Sequence, residues 1–409
     1  MMEDEFGKKR RFMFLAALYL ATFALMGDMV LIPALNGLFE RFPAATNWVN
    51  FILSGPALIS VLASLITGRA LRYIGKKSWL LVGFCLFSVG GIFGVAAENV
   101  RYMSFMRMLV GMGMGIVAPT SMALIAEVFT DEKRRGEMFG MYNAALGVVG
   151  AGAGLVAGFL ATASWQSVFK VYWAALPVAV AIALFIPATP PEGDTHHGGK
   201  AKSGGGVFPL LPVAAMNAAL LVFCVVYMVV YYQIAVYVIR NGIGDESMAG
   251  IFSALGTAGS TVVSLFFGRI YHRLKRASII PSYALMALCF VILWCTRDPL
   301  STGLSCTLMG AAFGNGYAYF MMRATVIVPP SQASTSSSIF YAVFSIGMFC
   351  SPFTVTLLQW LMGVDTLVGI MPILIAVMVA STVMSVALTL MEKEQLAERR
   401  EAPAPIPPE

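Results

Sequence analysis

The chain has 409 residues, of which 58% are hydrophobic and 12% are charged, and its formal net charge is +6. A soluble globular protein carries roughly 25% charged residues and 45–50% apolar ones, so this composition excludes an ordinary soluble domain and favours a membrane protein. The six cysteines all fall in apolar runs without metal-type or secreted-framework spacing, and we interpret them as small packing residues. The sequence predicts neither a metal site nor a cofactor.

Apolar segments follow one another along almost the whole chain. A membrane span needs roughly 20 mostly apolar residues to cross roughly 30 Å of hydrocarbon. The first segment is too long for a signal peptide and lacks a convincing cleavage site, so we expect it to be retained. The twelve predicted spans are about 12–35, 48–68, 78–97, 102–128, 138–162, 168–187, 209–239, 248–268, 278–296, 300–322, 337–361 and 366–391. The predicted fold class is an all-α membrane protein with twelve transmembrane helices.

The distribution of Lys and Arg predicts the orientation. With the N-terminus inside, the inner segments hold 21 basic residues and the outer loops hold 5, so both termini are expected in the cytoplasm. Gly, Ser and Pro make 189–208 a flexible cytoplasmic linker between two bundles of six helices. The predicted organisation is a first bundle over 1–188, the linker, a second bundle over 209–392, and a disordered cytoplasmic tail over 393–409.

Two basic turns lie half a chain apart. "SLITGR" at 64–69 opens the turn after the second span, and "SLFFGR" at 264–269 opens the turn after the eighth. Short inner loops are generally rich in Lys and Arg, but that tendency does not explain why the two turns share the sequence SLxxGR. Parallel repeats related by an axis along the membrane normal are a transporter design, so the two turns predict two six-helix pseudo-repeats.

Over nearly its whole length the chain resembles the Major Facilitator Superfamily, which has twelve spans in two halves and a hydrophilic middle loop. Arg72 stands where the family's turn after the second span has an acid that helps to latch the two halves. We therefore expect a different latch, formed by Arg72 with Glu127 at the inner end of the fourth span. The residues that match the family's signature in this turn are Gly68, Gly75, Lys76 and Lys77.

Two further segments are similar to the twelve-span drug:proton antiporters of that family. The first span contains "GDMVLIPAL", an acid with a proline five residues later. In the fifth span, Gly150, Gly154 and Gly158 match the glycine spacing of the antiporter motif, although Leu155 and Phe159 replace its proline and closing glycine. Small residues at every fourth position also allow helices to approach closely, and this packing role alone could account for the run.

Asp28 and Arg107 are the ionisable residues that fall well inside the first six spans. A charge at the bilayer centre costs about 2.5–3.5 kcal/mol, so unpaired charges are rare there. A rise of about 1.5 Å per residue places both toward the outer part of the membrane, at similar depth. We predict that they are partners, either as a permanent packing pair or, as we favour, as a proton-coupling pair.

Polar and aromatic residues in spans expected to face the interior are candidates for a substrate cavity: Tyr142, Asn143, Tyr231, Tyr232, Gln233, Asn315 and Tyr319. The resemblance implies a monomeric, multi-pass plasma-membrane transporter that couples efflux of amphipathic organic compounds to protons by alternating access. The alternative is a symporter or exchanger of a small organic anion, with Arg107 or Arg323 as charge partner. An enzyme is not expected, because paired carboxylates and phosphate loops are missing. The expected partners are a small-molecule substrate, protons and membrane lipids, without nucleic acid.

Overall fold

A computed structural model describes residues 8–191 and 208–401 of the chain. Within these ranges the backbone forms α-helices and 3-10 helices and no strand, and each of the twelve predicted spans is helical. Eight of the described helical segments are long and apolar enough to cross a membrane by length and composition, and one of these, Met248–Cys295, covers two predicted spans. The all-α, membrane-spanning fold class is therefore confirmed.

The α-helices are numbered in chain order. The first half of the chain contains α1 (Lys8–Leu20), α2 (Gly27–Leu31), α3 (Leu35–Arg41), α4 (Thr46–Ala70), α5 (Lys76–Ile92), α6 (Val100–Val128), α7 (Glu132–Ala161) and α8 (Ala175–Phe185). The second half contains α9 (Leu210–Arg240), α10 (Glu246–Leu274), α11 (Ile280–Cys295), α12 (Pro299–Val326), α13 (Ala333–Met362) and α14 (Leu367–Glu401).

The first predicted span is a broken helix. Between α1 and α2 the backbone tightens into a 3-10 helix over Ala21–Met26, and a second 3-10 turn, Ile32–Ala34, separates α2 from α3. Glycine at position 27 and proline at position 33 are both poor residues for a helix interior. Irregular backbone at membrane depth is tolerated where protein surrounds it, and Ala21–Leu25 are buried.

The two halves meet through reciprocal pairs of helices. The second span, α4, packs against the eleventh, α13, while the fifth span, α7, packs against the eighth, α10. Counted within each half, both pairs join a second span to a fifth span of the other half. Such reciprocity is the mark of a two-fold relation between the halves, as the matched basic turns predict.

The halves touch at one end of the bundle and separate at the other. We call the end that carries the turns 69–77 and 269–276 the basic end. Toward this end α7 is mostly buried over 136–146, whereas over 151–160 of the same helix Ala153 and Ala157 are the buried residues. The structure is therefore closed at the basic end and open at the opposite end.

The last helix continues past the final predicted span. α14 ends at Glu401, so it extends into the segment predicted as a disordered tail, 393–409, and the remainder of that segment lies outside the described residues. The sequence "MEKEQLAERRE" explains the extension, because Glu, Lys, Gln, Leu, Ala and Arg are strong helix formers.

Candidate transport site

Arg107 on α6 is buried in the first half of the chain, with 1% of its surface exposed. Its Nε donates to the carbonyl oxygen of Ile52 on α4 at 3.0 Å. Its Nη1 donates to the hydroxyl of Tyr172 at 2.9 Å and to the carbonyl oxygen of Gly27 at 3.5 Å. A guanidinium at this depth needs such acceptors, because burying an unpaired charge is costly. Three other spans of the same half thus hold Arg107.

Tyr172 of the sixth span completes this group. Its hydroxyl donates to the carbonyl oxygen of Gly27 at 2.8 Å, and its side chain is fully buried. The ring packs against Phe87 with the ring centroids 5.5 Å apart, and a methyl group at Gly91 would collide with it. Tyr172 could not be singled out from the sequence, because an aromatic residue in an apolar run has the pattern of an ordinary packing residue.

The carbonyl of Gly27 belongs to the peptide group that joins Gly27 to Asp28. Asp28 lies in α2, directly after that carbonyl, and its side chain lies outside what the structure describes. The pairing of Asp28 with Arg107 therefore stays a prediction. The described contact brings Arg107 to the backbone beside Asp28, at the break in the first span.

The predicted cavity residues of the fifth span lie where the halves meet. Asn143 is buried, and its Nδ2 donates to Ser264 Oγ at 2.8 Å and to the carbonyl oxygen of Gly314 at 3.0 Å. It therefore ties α7 to α10 and α12. The neighbouring Tyr142 is also buried, with 1% of its surface exposed. In this conformation Asn143 closes the contact between the halves, and Tyr142 is buried beside it on α7.

An aromatic face lies in the second half. We use this name for Tyr227, Tyr231, Phe313, Tyr317 and Phe344 on α9, α12 and α13. Its rings follow one another in the order Tyr231, Tyr227, Phe313, Tyr317 and Phe344, and neighbouring ring centroids along this order lie 6.3, 4.0, 5.2 and 4.7 Å apart. Tyr227 and Tyr231 are half-buried, so this end of the face is partly accessible. The sequence singled out Tyr231 and missed the other members.

The remaining candidates occupy different environments. Tyr232 is 40% exposed beside Tyr231, and Gln233 is half-buried on the same helix. Asn315 is buried within the second half, where its Nδ2 donates to the carbonyl oxygen of Ser278 at 2.6 Å and to Ser282 Oγ at 2.8 Å. Tyr319 is half-buried, with its ring 6.5 Å from that of Tyr271.

The latch in the first basic turn differs from the expected one. Glu127 Oε2 lies 3.0 Å from Lys76 Nζ, whose side chain is nearly buried, whereas Arg72 is exposed. This corrects the expected pairing of Arg72 with Glu127. The physical reason is burial, because a desolvated ammonium needs a counter-charge and an exposed guanidinium is satisfied by water. The backbone N–H of Lys76 also donates to Thr189 Oγ1 at 3.0 Å, which anchors the start of the predicted linker.

The glycines of the matched motifs do not all make the same kind of contact. A methyl group at Gly68 would lie 3.1 Å from Ser338 Cβ of α13, and one at Gly150 would lie 2.6 Å from Met26 Sδ. Among the described residues, nothing lies within 4 Å of such a group at Gly154 or Gly158. Close helix approach therefore does not account for these two positions in this conformation. Of the other motif residues, Gly75 abuts the carbonyl of Thr189 and Lys77 is half-buried.

An exposed ion pair lies at the end opposite the basic turns. Arg41 Nη2 donates to Glu98 Oε2 at 2.7 Å and ties the end of α3 to the loop before α6. This hydrogen bond, together with the charge of Arg41, lowers the pKa of the Glu98 carboxyl. The pair is solvated and bridges elements of one half, so it does not restrain the opening between the halves.

Comparison with known proteins gives a consistent family. The sequence profile of the Major Facilitator Superfamily matches residues 6–352. The galactose–proton symporter of Escherichia coli (strain K12) is 28% identical over 180 residues, which cover 43% of this chain and 38% of that protein. Multidrug resistance protein 3 of Bacillus subtilis (strain 168) is 26% identical over 197 residues, covering 48% and 36%. The chain thus spans less than half the length of these curated relatives.

Solved structures extend the likeness to the whole fold. The crystal structure of the human organic anion transporter MFSD10 has a TM-score of 0.78 to this chain at 13% sequence identity. The alignment covers 93% of this chain and 100% of that one. The two bundles described above are therefore arranged as in the major facilitator fold.

Proposed function

Because the chain belongs to the Major Facilitator Superfamily, we propose that it is a proton-coupled transporter that exports amphipathic organic compounds by alternating access. The observation that carries the proposal is the burial of Arg107 against the Gly27–Asp28 peptide, at the break in the first span. A buried arginine beside an intramembrane acid supplies the two groups that a proton relay requires.

The coupling step follows from the different charges of the two forms of Asp28. An ionised carboxylate attracts a nearby guanidinium, and a protonated one does not. Proton binding would thus change the interaction of the first span with Arg107, and a proton shifts the conformational equilibrium by as much as its affinity differs between the two conformations. The 3-10 segment Ala21–Met26 next to this site gives the first span a place to bend.

The aromatic face supports an amphipathic organic substrate. Aromatic rings bind flat apolar groups by stacking and attract cations to their faces. In the sequence of the second half, Asp, Glu, Lys and Arg stand at the ends of the predicted spans, so its middle depth carries no formal charge. A substrate with an apolar or aromatic body fits this surface better than a strongly hydrated sugar or acid.

The energy of one proton is adequate for such transport. Moving one charge across 100 mV is worth about 2.3 kcal/mol, and each tenfold concentration difference costs about 1.4 kcal/mol. One proton per substrate therefore supports a gradient on the order of fifty-fold before any pH difference is added.

The second candidate is symport or exchange of a small organic anion. It needs a cation that faces the substrate, and the two arginines considered are Arg107 and Arg323. Arg107 already donates to protein acceptors in the first half, and Arg323 is half-buried in the last turn of α12, toward the basic end. These positions favour efflux over anion transport, although one of the relatives is a symporter.

The cellular arrangement is part of the same proposal. The chain is a multi-pass membrane protein, and we place it in the plasma membrane as a monomer with both termini in the cytoplasm. The count of 21 inner against 5 outer basic residues supports this orientation. In this orientation the basic end is cytoplasmic, so the described conformation opens to the outside.

The test begins with a thermal-shift screen of cationic, neutral and anionic compounds on the purified chain, which selects a ligand for transport. Asp28→Asn is then compared with the wild type and with Asp365→Asn, an exposed acid at the open end. We expect Asp28→Asn to abolish pH-driven transport in proteoliposomes without loss of expression, because an amide does not take up and release a proton. Asp365→Asn should transport normally. Undiminished pH-driven transport by Asp28→Asn removes Asp28 from the mechanism. Stabilisation by anions alone, lost in Arg107→Ala, favours the second candidate.

A further inference from the structure

We infer that Tyr172 is a positioning residue for proton coupling, which holds Arg107 in register with the Gly27–Asp28 peptide. This inference rests on the proposed function and adds a residue from the sixth span to the coupling group. The observation behind it is a ring of three hydrogen bonds among the described groups: Arg107 to Tyr172, Tyr172 to Gly27, and Arg107 to Gly27.

The hydroxyl of Tyr172 has a fixed role in this set. A phenol carries one proton, which Tyr172 donates to the carbonyl oxygen of Gly27 at 2.8 Å. Its oxygen then presents lone pairs to Arg107 Nη1 at 2.9 Å. The two bonds depend on each other. If the hydroxyl rotates its proton away from Gly27, the lone pairs that accept from Arg107 change direction as well.

The ring of Tyr172 cannot follow a movement of its partners. Its side chain is fully buried, Gly91 of α5 abuts the ring, and the rings of Phe87 and Phe169 lie 5.5 and 6.0 Å away. The hydroxyl therefore stays in place on the sixth span, and its hydrogen bonds set the positions of Arg107 and of the first span.

The groups that face Tyr172 explain how it acts on the proton step. α6 presents the charged Arg107, α5 presents Phe87 and Gly91, and the first span presents the Gly27 carbonyl, followed by the titratable Asp28. When the first span shifts, the bond from Tyr172 to Gly27 breaks, and the oxygen that Arg107 uses is released to reorient. Tyr172 thus makes the position of Arg107 depend on the conformation of the first span.

The experiment needs no substrate. Amide hydrogen exchange of 151–161 on α7, read by mass spectrometry on the full chain in lipid nanodiscs, reports opening of the end opposite the basic turns as a function of pH. The variants are Tyr172→Phe and Asp28→Asn. The matched control is Tyr237→Phe, which removes another buried tyrosine hydroxyl that donates to a backbone carbonyl, that of Leu293 at 2.7 Å in the second half.

Each exchange rate is divided by the intrinsic rate of the unprotected amide at the same pH, which gives a protection factor. We expect Asp28→Asn to remove the pH dependence of this protection and Tyr172→Phe to move its midpoint by about one pH unit, the scale of one hydrogen bond to a charged group. Tyr237→Phe should leave the midpoint in place. An unmoved midpoint in Tyr172→Phe, with a flat response in Asp28→Asn, overturns the role of Tyr172 and leaves the proposed function standing. A wild type whose protection over 151–161 does not depend on pH overturns the proposed function itself.

A second variant covers a failure of Tyr172→Phe to fold. A ring-fluorinated tyrosine incorporated at position 172 keeps the shape and the proton of the hydroxyl but weakens its oxygen as an acceptor from Arg107. A smaller shift of the midpoint in the same direction is expected, and its absence in this folded variant counts against the inference. In an Arg107→Lys background the fluorinated residue should have no further effect, because residues that act through one another are not additive.

Discussion

Asn143 and Asn315 show which properties of a single residue can be predicted from the sequence and which need the structure. In the sequence both are amides within apolar spans, and both are candidates for the substrate cavity. In the structure each is 4% exposed, yet Asn143 joins the two halves and Asn315 joins helices of one half. The difference was not predictable, because the partners of Asn143 lie 121 and 171 residues away along the chain. Burial can be predicted from local sequence, but the identity of a distant partner cannot.

Replacement of Asn143 by Ala should weaken the contact between the halves. The variant loses the bonds to Ser264 and Gly314, at a cost of about 1–3 kcal/mol to the conformation closed at the basic end. We expect faster hydrogen exchange over 136–146 and a lower melting temperature. Asn315→Ala is the control, because its lost bonds lie within the second half, so it should lower the melting temperature without raising exchange at 136–146. Equal exchange in the two variants would contradict a role of Asn143 between the halves.

At the scale of elements, the sequence located the first basic turn but not the part that each residue plays in it. Arg72 and Lys76 are both cations in one short turn, and the sequence does not indicate which of the two side chains is buried. α5 begins at Lys76, with Gly75 in extended conformation before it, and this start brings the lysine to Glu127. The first span was likewise predicted as one helix, since hydropathy measures apolar length and is insensitive to 3-10 tightening.

Lys76→Gln should destabilise the protein more than Arg72→Gln. Removal of Lys76 leaves Glu127 without its ion-pair partner, and because Glu127 is a third exposed we expect a loss of about 1–2 kcal/mol rather than the larger loss of a fully buried pair. Arg72 is exposed, so its substitution should change stability by less than about 0.5 kcal/mol. Thermal or denaturant unfolding in detergent measures both. A larger effect from Arg72 would restore the latch that the sequence suggested.

At the scale of the whole molecule, the repeat was the most informative part of the sequence. Gly68 of the first matched segment lies against Ser338 of α13, and Gly268 of the second lies against Glu137 of α7, with a methyl group there 2.9 Å from Glu137 Cα. Both glycines thus mark the points where a second span meets a fifth span of the other half. The number of spans and their pairing in two halves could be predicted. The conformation could not, because the same composition serves a bundle that opens at either end.

The two ends of the interface should respond oppositely to added bulk. Gly154 lies two turns from Gly147, which contacts Thr261 of α10, so the two glycines share a face of α7. Gly154→Val fits the described conformation but should obstruct closure of the open end, since overpacking costs about 1–3 kcal/mol. We expect ligand binding to persist and transport to fall by about tenfold or more.

Gly68→Val is the matched variant at the basic end, where the added methyl groups meet Ser338. It should favour opening of the basic end, seen as faster exchange over 136–146 and slower exchange over 151–161. Gly154→Val should change exchange over 151–161 in the other direction. If both valine variants change the exchange rates of 136–146 and 151–161 in the same direction, the halves do not rock about a common site.

The uneven placement of charge has a consequence for how such a protein diversifies. The buried arginine and its hydrogen-bond partners belong to one bundle, while the aromatic face belongs to the other. Under the proposed function, substrate preference can therefore change through mutations in the C-terminal bundle while the proton-coupling group of the N-terminal bundle is retained. A chimaera that joins the two bundles of different relatives should have the substrate preference of the parent that supplies the C-terminal bundle and the coupling ion of the parent that supplies the N-terminal bundle.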